Sequence, residues 1–343
     1  MSDQNNSAYA RAGVSIDTMD EALKRVGRQV KSTHTEGVVP APGAFGGLFR
    51  SPGRDSLLVS SVDGVGTKLK VAAMAGRHDT VGRDLVNHCV NDILTQGARP
   101  LFFLDYLGTA RLEPGVFNDV IRGFSRACRE NGCALLGGET AEMPGLYPEG
   151  EYDLVGAIVG AVEKKKRITG RDIRPGDVLI GLPSTGLHTN GYTLARHVIF
   201  EQAGRKPDDL LPGTRTTFAE ALLRVHRSYL RPVTQLMESV TLRGIAHLTG
   251  GGFIDNIPRI LPGEVDAVVE RGTWRIPPIF EFMAEAGEVS EDEMYRVFNM
   301  GIGMVLIVRP EEAEHALTQL REMKAGAKRI GTVESGRGHT RLV

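Results

Sequence analysis

The sequence predicts an α/β protein of two domains, and three observations carry that expectation. At 343 residues the chain exceeds the roughly 250–300 residues at which a single hydrophobic core stops growing. Apolar strand-like runs and helix-periodic segments are mixed in both halves. Between the halves, the apolar run 154–162 gives way to Glu163-Lys164-Lys165-Lys166-Arg167, a solvated connector, and then to the turn Arg174-Pro175-Gly176-Asp177. The boundary falls near Thr169-Gly170, giving domains 1–169 and 170–343.

Taken in order, Asp17 can cap a helix with Met19, Leu23, Val26 and Val30 on one side. The segment 38–49 is glycine-rich yet carries Phe45, Leu48 and Phe49, a composition suited to a flap that folds over a ligand and excludes water, with a plain surface loop as the alternative. His34, just upstream, reads as structural. Leu57-Leu58-Val59 is a strand, followed by the loop Val62-Asp63-Gly64-Val65-Gly66-Thr67-Lys68. Residues 87–94 read as a helix with Val90, Ile93 and Leu94 toward the core and His88, Asn91 and Asp92 toward another side. Ala134-Leu135-Leu136 is a strand delivering Gly137-Gly138-Glu139-Thr140 to a loop, and Val178-Leu179-Ile180 is one leading to a turn with His188, Asn190 and Gly191. Thr217-Phe218-Ala219-Glu220 has capping-box spacing before a helix that includes Leu222, Leu223 and Val225.

Composition narrows the function. Basic residues number 41 and acidic residues 42, so no global field draws nucleic acid or an anionic membrane surface, and phosphate binding must rest on local groups. No apolar stretch approaches the ~20 residues of a transmembrane helix. The polar first ten residues lack the apolar core of a secretory signal, and a cytoplasmic location is expected. The three cysteines, Cys89, Cys128 and Cys133, are an odd count expected to stay as thiols. Cys128 and Cys133 lack the second pair that a zinc site needs.

Chemistry concentrates at the strand ends, where α/β proteins usually place ligands. In the segment 62–68, glycines let the backbone bring N–H groups to anionic oxygens, Lys68 can neutralise them and Asp63 can hold a divalent metal. The spacing is neither that of a Walker A loop nor that of a Rossmann turn, and alone it equally suits ordinary loop chemistry. Asn91 beside Asp92 is a natural Mg²⁺ shell, and His188 in its glycine-bounded turn is a candidate for proton transfer.

In this order and at these separations, the four segments resemble aminoimidazole ribonucleotide synthetase, the phosphoribosylformylglycinamidine cyclo-ligase family of purine biosynthesis. The resemblance extends over Tyr9–Asp17, Gly97–Tyr106, His247–Phe253 and Met294–Met304, and the run Gly137-Gly138-Glu139-Thr140-Ala141-Glu142-Met143-Pro144-Gly145 is its most specific signature. Four positions depart from the family pattern. Leu187 stands where proline is frequent, Thr189 replaces a serine, and Val225-His226 replaces a proline-threonine pair, while Arg227 and Tyr229 are kept.

The resemblance implies an α/β fold of the α+β type, with two mixed-sheet domains. The N-terminal sheet is expected to pair with that of a second subunit into a barrel, making a homodimer, and the C-terminal domain to form an α/β sandwich. It further implies ATP-dependent closure of formylglycinamidine ribonucleotide to aminoimidazole ribonucleotide, with ATP and Mg²⁺ as cofactors. Asp63, Asp92 and Glu139 are then the metal ligands, with Asn91 as a supporting donor. Gly64, Gly66, Thr67, Lys68, Gly138 and Thr140 contact the nucleotide, although Lys68 could instead form a surface ion pair. His188, Asn190 and Lys68 form the catalytic set. Thr249, Gly250, Gly251 and Gly252 bind the substrate phosphate or else serve close domain packing, and Arg296 and Asn299 are further substrate contacts. Two other functions fit the same superfamily scaffold: another ATP-using enzyme, such as a small-molecule kinase or selenophosphate synthetase, or a non-catalytic nucleotide-binding protein. The selenophosphate enzymes typically carry a reactive cysteine near the N-terminus, and no cysteine precedes Cys89 here.

Overall fold

The computed structural model describes residues 38–39, 47–51 and 53–343, so the expected helix from Asp17, His34 and most of the expected flap lie outside the described residues. The first half runs β1 (Val38–Val39), β2 (Gly47–Arg50), β3 (Ser56–Gly64), α1 (Lys68–Met74), α2 (Val81–Leu94), β4 (Arg99–Thr109), α3 (Pro114–Asn131), β5 (Ala134–Glu142) and β6 (Tyr152–Glu163). Its six-stranded sheet has the order β1-β2-β3-β6-β4-β5, antiparallel except for the parallel β4–β5 pair.

Alternation along β3 divides this sheet into two faces. Leu57, Val59 and Ser61 are buried, whereas Val62 is 64% exposed. Helices α2 and α3 cross closely because neither has a side chain at the contact: a Cβ on Gly82 would lie 2.3 Å from the Val120 carbonyl oxygen. Across the opposite face, Val62, Ala157 and Leu104 form one cross-strand row and leave an apolar surface open.

The second half runs β7 (Val178–Pro183), α4 (Tyr192–Arg196), α5 (Phe218–Leu222), α6 (Leu230–Leu236), β8 (Gly244–His247), α7 (Gly252–Asn256), β9 (Val265–Val269), α8 (Pro278–Ala286), α9 (Glu291–Val297), β10 (Ile302–Val308), α10 (Pro310–Glu322), β11 (Lys328–Ser335) and β12 (Thr340–Leu342). Its sheet, β12-β9-β11-β7-β10-β8, is antiparallel except for β9–β12. The interior strand β10, between β7 and the edge strand β8, is buried along its whole length, the pattern of a strand covered on both faces. Met304, Leu306 and Val308 pack with Val233 and Leu236 of α6 and Ala316 and Leu320 of α10. Val305 and Ile307 belong instead to the larger core, which runs without a break from the first half into the second.

Several local expectations are met. Thr217 Oγ1 accepts the Glu220 N–H at 3.1 Å while the Glu220 carboxylate accepts the Thr217 N–H at 2.9 Å, although α5 ends at Leu222, before Val225. The Asp177 carboxylate closes its turn by accepting the Arg174 N–H at 2.9 Å. One expectation is corrected. Residues 137–142 are not a loop, because β5 continues to Glu142. Gly138 is needed there by sheet packing, since a Cβ would lie 2.3 Å from the Asp105 carbonyl oxygen.

Candidate functional site at the domain junction

The polar face of α2 does not meet solvent. Every residue from Asp84 to Leu94 is buried, and the carboxamides and acids on this face hold the backbone of 226–229 from the second half. Asp84 Oδ1 accepts the His226 N–H at 2.7 Å, and Asn87 Nδ2 donates to the His226 carbonyl at 2.7 Å. Asn91 Nδ2 donates to the Arg227 carbonyl at 2.8 Å while its Oδ1 accepts the Tyr229 N–H at 2.9 Å. Both ends of the Asn91 amide are therefore engaged in joining the halves.

Next to this seam lies a cluster of acids and imidazoles. Ser61 and Asp63 leave β3 on its covered face, and α2 presents His88 and Asp92 one turn apart. His88 Nε2 is 3.0 Å from Asp63 Oδ2 and 3.9 Å from Asp92 Oδ2. Asp92 Oδ2 accepts the Ser61 hydroxyl at 2.9 Å, and Asp92 Oδ1 lies 2.8 Å from His247 Nδ1 at the end of β8. Thr189 Oγ1 sits 2.5 Å from His88 Nδ1 and 3.3 Å from His226 Nδ1. His226 Nε2 lies 3.1 Å from His247 Nε2, and its ring stacks on His188 with centroids 3.9 Å apart.

Burial and charge set the protonation. Burial alone would lower the His88 pKa, but the Asp63 and Asp92 carboxylates outweigh it and lift it to about 9. Burial likewise opposes ionisation of Asp63, yet the His88 charge prevails and holds its pKa at about 2. Asp92 is pushed up to about 8 by burial, with the Asp63 charge adding to the rise and His88 opposing it. His188, His226 and His247 are kept neutral, chiefly by burial.

The structure brings together some of the expected residues and separates others. Asp63, Asp92 and His188 gather at the junction. Lys68 is there too but wholly buried, its ammonium 2.8 Å from Asp84 Oδ2 and donating to the carbonyls of His188 and Arg224 at 2.9 Å each. It is thus an internal ion pair that ties the two halves. Glu139 does not converge with Asp63. The row Asp63–Gly156–Asp105–Gly138 crosses the sheet, placing Glu139 in the neighbouring row with Tyr106 and Val155, on the opposite face. Three strand spacings, about 14 Å, separate β3 from β5. Thr140, in register with Leu107 on the same strand, is exposed beside it.

In the first loop, Gly64 remains in the β3 ladder opposite Val155, Gly66 turns the chain at φ 67°, and the Thr67 hydroxyl meets that of Thr193 at 3.0 Å. Asn190 is placed beside Gly250, its Oδ1 3.3 Å from where a Cβ there would stand. The buried Nδ2 of Asn190 has no hydrogen-bond partner among the described residues. Packing accounts for Gly252, because at φ 52° a Cβ would lie 2.1 Å from the Tyr295 carbonyl oxygen. Thr249 Oγ1 donates to Asn256 at 2.9 Å, and Gly251, at φ 112°, caps α7. Arg296 Nε faces Asp255 at 3.4 Å. Asn299 clamps the turn before His188, with Nδ2 donating to the Gly186 carbonyl and Oδ1 accepting from Ser184.

Sequence reasoning left His88, His226, His247 and Thr189 without roles. The one sequence signal was the i, i+4 spacing of His88 and Asp92. A separate cleft of about 1070 Å³, lined by Arg99, Lys165, Arg167 and Arg243, shares no residue with the cluster.

Two mixed-sheet α/β domains with ionisable groups of both gathered at their junction define the class. Within it, the chain belongs to the AIR synthase related protein family, whose N-terminal domain matches residues 43–162 and whose C-terminal domain matches residues 174–343. The phosphoribosylformylglycinamidine cyclo-ligase of Oleidesulfovibrio alaskensis is 48% identical over 340 residues, covering 98% of this chain and 97% of that one. Its namesake from Alkaliphilus metalliredigens is 46% identical over 331 residues, covering 96% and 95%. Among solved structures, hydrogenase maturation protein HypE in complex with ATP aligns with a TM-score of 0.62 at 20% identity, covering 86% of this chain and 83% of that one. T. maritima PurL complexed with AMPPCP aligns with a TM-score of 0.56 at 16% identity, covering 93% and 45%. At such identities these two speak to the fold alone. No helix among the described residues is long and apolar enough to cross a membrane.

Proposed function

We propose that this chain catalyses the ATP-dependent ring closure of formylglycinamidine ribonucleotide to 5-aminoimidazole ribonucleotide, with release of ADP and phosphate. The 48% identity to a cyclo-ligase along 98% of the chain carries this assignment. The formyl oxygen of an amide is a poor leaving group. Transfer of the ATP γ-phosphoryl to it gives an iminophosphate-like carbon that the substrate's own ribose-bearing nitrogen attacks, expelling phosphate. Because nucleophile and electrophile share one molecule, the protein has to fold the substrate, neutralise phosphate and manage protons.

The groups at the junction suit those tasks. Asp63, whose side chain is 37% exposed, and Asp92 would hold Mg²⁺, which supplies charge neutralisation at the phosphates when bound. Hard carboxylate oxygens from two elements, both facing His88 Nε2, fit such an ion. His188, neutral and with a buried Nδ1 lacking a partner among the described residues, is the proton-handling candidate. The orphaned Asn190 amide is placed to orient the substrate beside Gly250. Lys68 supports this geometry by holding the His188 carbonyl. Glu139, on the open face of the sheet, would reach a nucleotide only across a subunit boundary, and the apolar row on that face suits pairing of two chains.

The test is a turnover assay with substrate carrying a heavy-oxygen label at the formyl position. Activation by phosphorylation delivers the label to inorganic phosphate, and ADP release depends on substrate. His188→Ala slows label transfer and product formation together. Label appearing in water, or ADP release indifferent to substrate, would sink the assignment.

A further inference from the structure

We propose that Cys128 and Cys133 form a reversible oxidation site, a dithiol that closes to a disulfide across the C-terminal end of α3 when the chain meets a hydroperoxide. The cyclisation chemistry uses neither thiol. Helix α3 ends in a left-handed glycine cap. Gly132, at φ 66°, donates to the Arg129 carbonyl at 3.2 Å, and Cys133 donates to the Cys128 carbonyl at 3.0 Å. This nested pair of bonds is the Schellman closure, in which the side chain beyond the glycine folds back onto that of the residue whose carbonyl its N–H has taken. An apolar pair usually fills those two places, and here both are cysteine. Both are free thiols, and they touch, with the Cys128 S–H donating to the Cys133 sulfur. A disulfide needs its Cβ atoms about 3.5–4.5 Å apart. Side chains already folded onto one another differ from bonded ones by little more than rotation.

The contact is asymmetric, and it divides the labour. Donating its hydrogen to Cys133 holds the Cys128 thiol well above the usual thiol range, with burial and the Asp105 carboxylate adding to the rise. The same hydrogen bond lowers Cys133 against the effect of burial. Cys133 also keeps 9% exposure against 2% for Cys128, and its chain neighbours Gly132 and Ala134 are exposed. Cys133 is therefore the nucleophile and Cys128 the resolving thiol. The Cys133 thiolate attacks one peroxide oxygen, the O–O bond breaks, and a sulfenic acid and water result. The Cys128 sulfur then attacks the sulfenic sulfur, and its proton leaves with the hydroxyl group as a second water. Two electrons pass from the thiols to the peroxide, and excess external thiol reverses the step by exchange.

Cys89 is built differently. It is wholly buried, its S–H donates to the Gly156 carbonyl at 3.6 Å, and burial pushes its thiol well up. What a bond between Cys128 and Cys133 would hold is the turn that carries Asn131. Asn131 Nδ2 donates to Asn87 Oδ1 and to the Ala127 carbonyl at 2.8 Å each, and its Oδ1 accepts the Ser228 hydroxyl at 2.6 Å. Oxidation therefore staples the end of α3 at the point where it meets the second half.

The experiment treats the full chain, reduced and then freed of reductant, with hydrogen peroxide near neutral pH and without denaturant. The product is alkylated and digested with trypsin under non-reducing conditions. Cleavage after Arg129 puts the two cysteines in separate peptides unless they are joined. The expected product is one linked pair carrying Cys128 and Cys133, about 2 Da lighter than its two halves after reduction, with Cys89 still a thiol. The thermal midpoint should rise on oxidation, and excess dithiothreitol should restore both the peptides and the midpoint. In Cys128→Ala the sulfenic acid at Cys133 has no resolving partner, so dimedone should capture it roughly tenfold or more faster than it captures Cys128 in Cys133→Ala. Unlinked peptides, a bond through Cys89 or between two chains, a midpoint that does not rise, or faster capture at Cys128 would each overturn the proposal. None of these measurements uses ATP or turnover, so failure here and failure of the cyclisation assignment are told apart.

Discussion

Replacing Lys68 with methionine separates a structural lysine from a phosphate-binding one. The ammonium is fully buried, pairs with an equally buried Asp84 at 2.8 Å and donates to two carbonyls of the second half. Methionine fills much of the volume but leaves Asp84 with the His226 N–H as its remaining partner in the pair's place. Removing one member of a buried ion pair costs about 3–5 kcal/mol, because the charge left behind is uncompensated. Two carbonyls that lose their donor add about 1 kcal/mol each, so Lys68→Met should lower unfolding free energy by roughly 5–7 kcal/mol. Asp84→Asn on top of it removes the stranded charge, and the double variant should be less destabilised than the sum of the singles by about 2 kcal/mol or more. Urea unfolding of the four proteins measures this, with KM for ATP determined on the same samples. An unchanged urea midpoint in Lys68→Met, together with a large rise in the KM for ATP, would refute the structural account and return Lys68 to the phosphates.

If the open sheet face pairs two chains as proposed, the parent chain sediments as a dimer and glutamate at Val62 or Leu136, exposed by 64% and 63%, should yield a monomer with helix content retained; a parent monomer, or a dimer that persists in both variants, would refute pairing through this face. The pH dependence has two limbs. His88 binds its proton more tightly in the folded chain, with a pKa of about 9 against 6.5, and Asp92 behaves likewise at about 8 against 3.8. Both contributions are complete below the unfolded values and are lost as pH rises through 8 to 9. The imidazoles of His188, His226 and His247, held neutral by burial, instead cost stability as pH falls below about 6.5. Thermal midpoints should therefore fall on both sides of neutrality, and His88→Asn should flatten the alkaline limb; an unaltered alkaline limb would show that another group governs it.

Much of this was legible in the sequence, for reasons that differ by residue. Thr217 and Glu220 are three positions apart, so their reciprocal cap needs nothing beyond the local chain. The turn at Asp177 is equally local. The α2 pattern separated a polar from an apolar side correctly, but periodicity cannot say what covers the polar side. Here it is the backbone of 226–229, more than a hundred residues away. Glu139 was misplaced relative to Asp63 because strand parity becomes meaningful only once the register through β6 and β4 is known. The glycines at 137–138 suggested a loop, whereas a close ladder with β4 is what requires Gly138. His226 and His247 carried no sequence signal, since their partners are 135 and 155 positions distant.

The four hydrogen bonds by which Asp84, Asn87 and Asn91 hold the 226–229 backbone also limit how the enzyme can open. A hinge along that line would have to strip all four at once from buried groups, at about 1–3 kcal/mol for each group left unmatched. An open form that costs at least about 4 kcal/mol is populated at only about one part in a thousand or less. The junction therefore behaves as a fixed anvil against which the chemistry is set. Traffic of nucleotide and substrate has to be managed by peripheral segments that can swing without disturbing it.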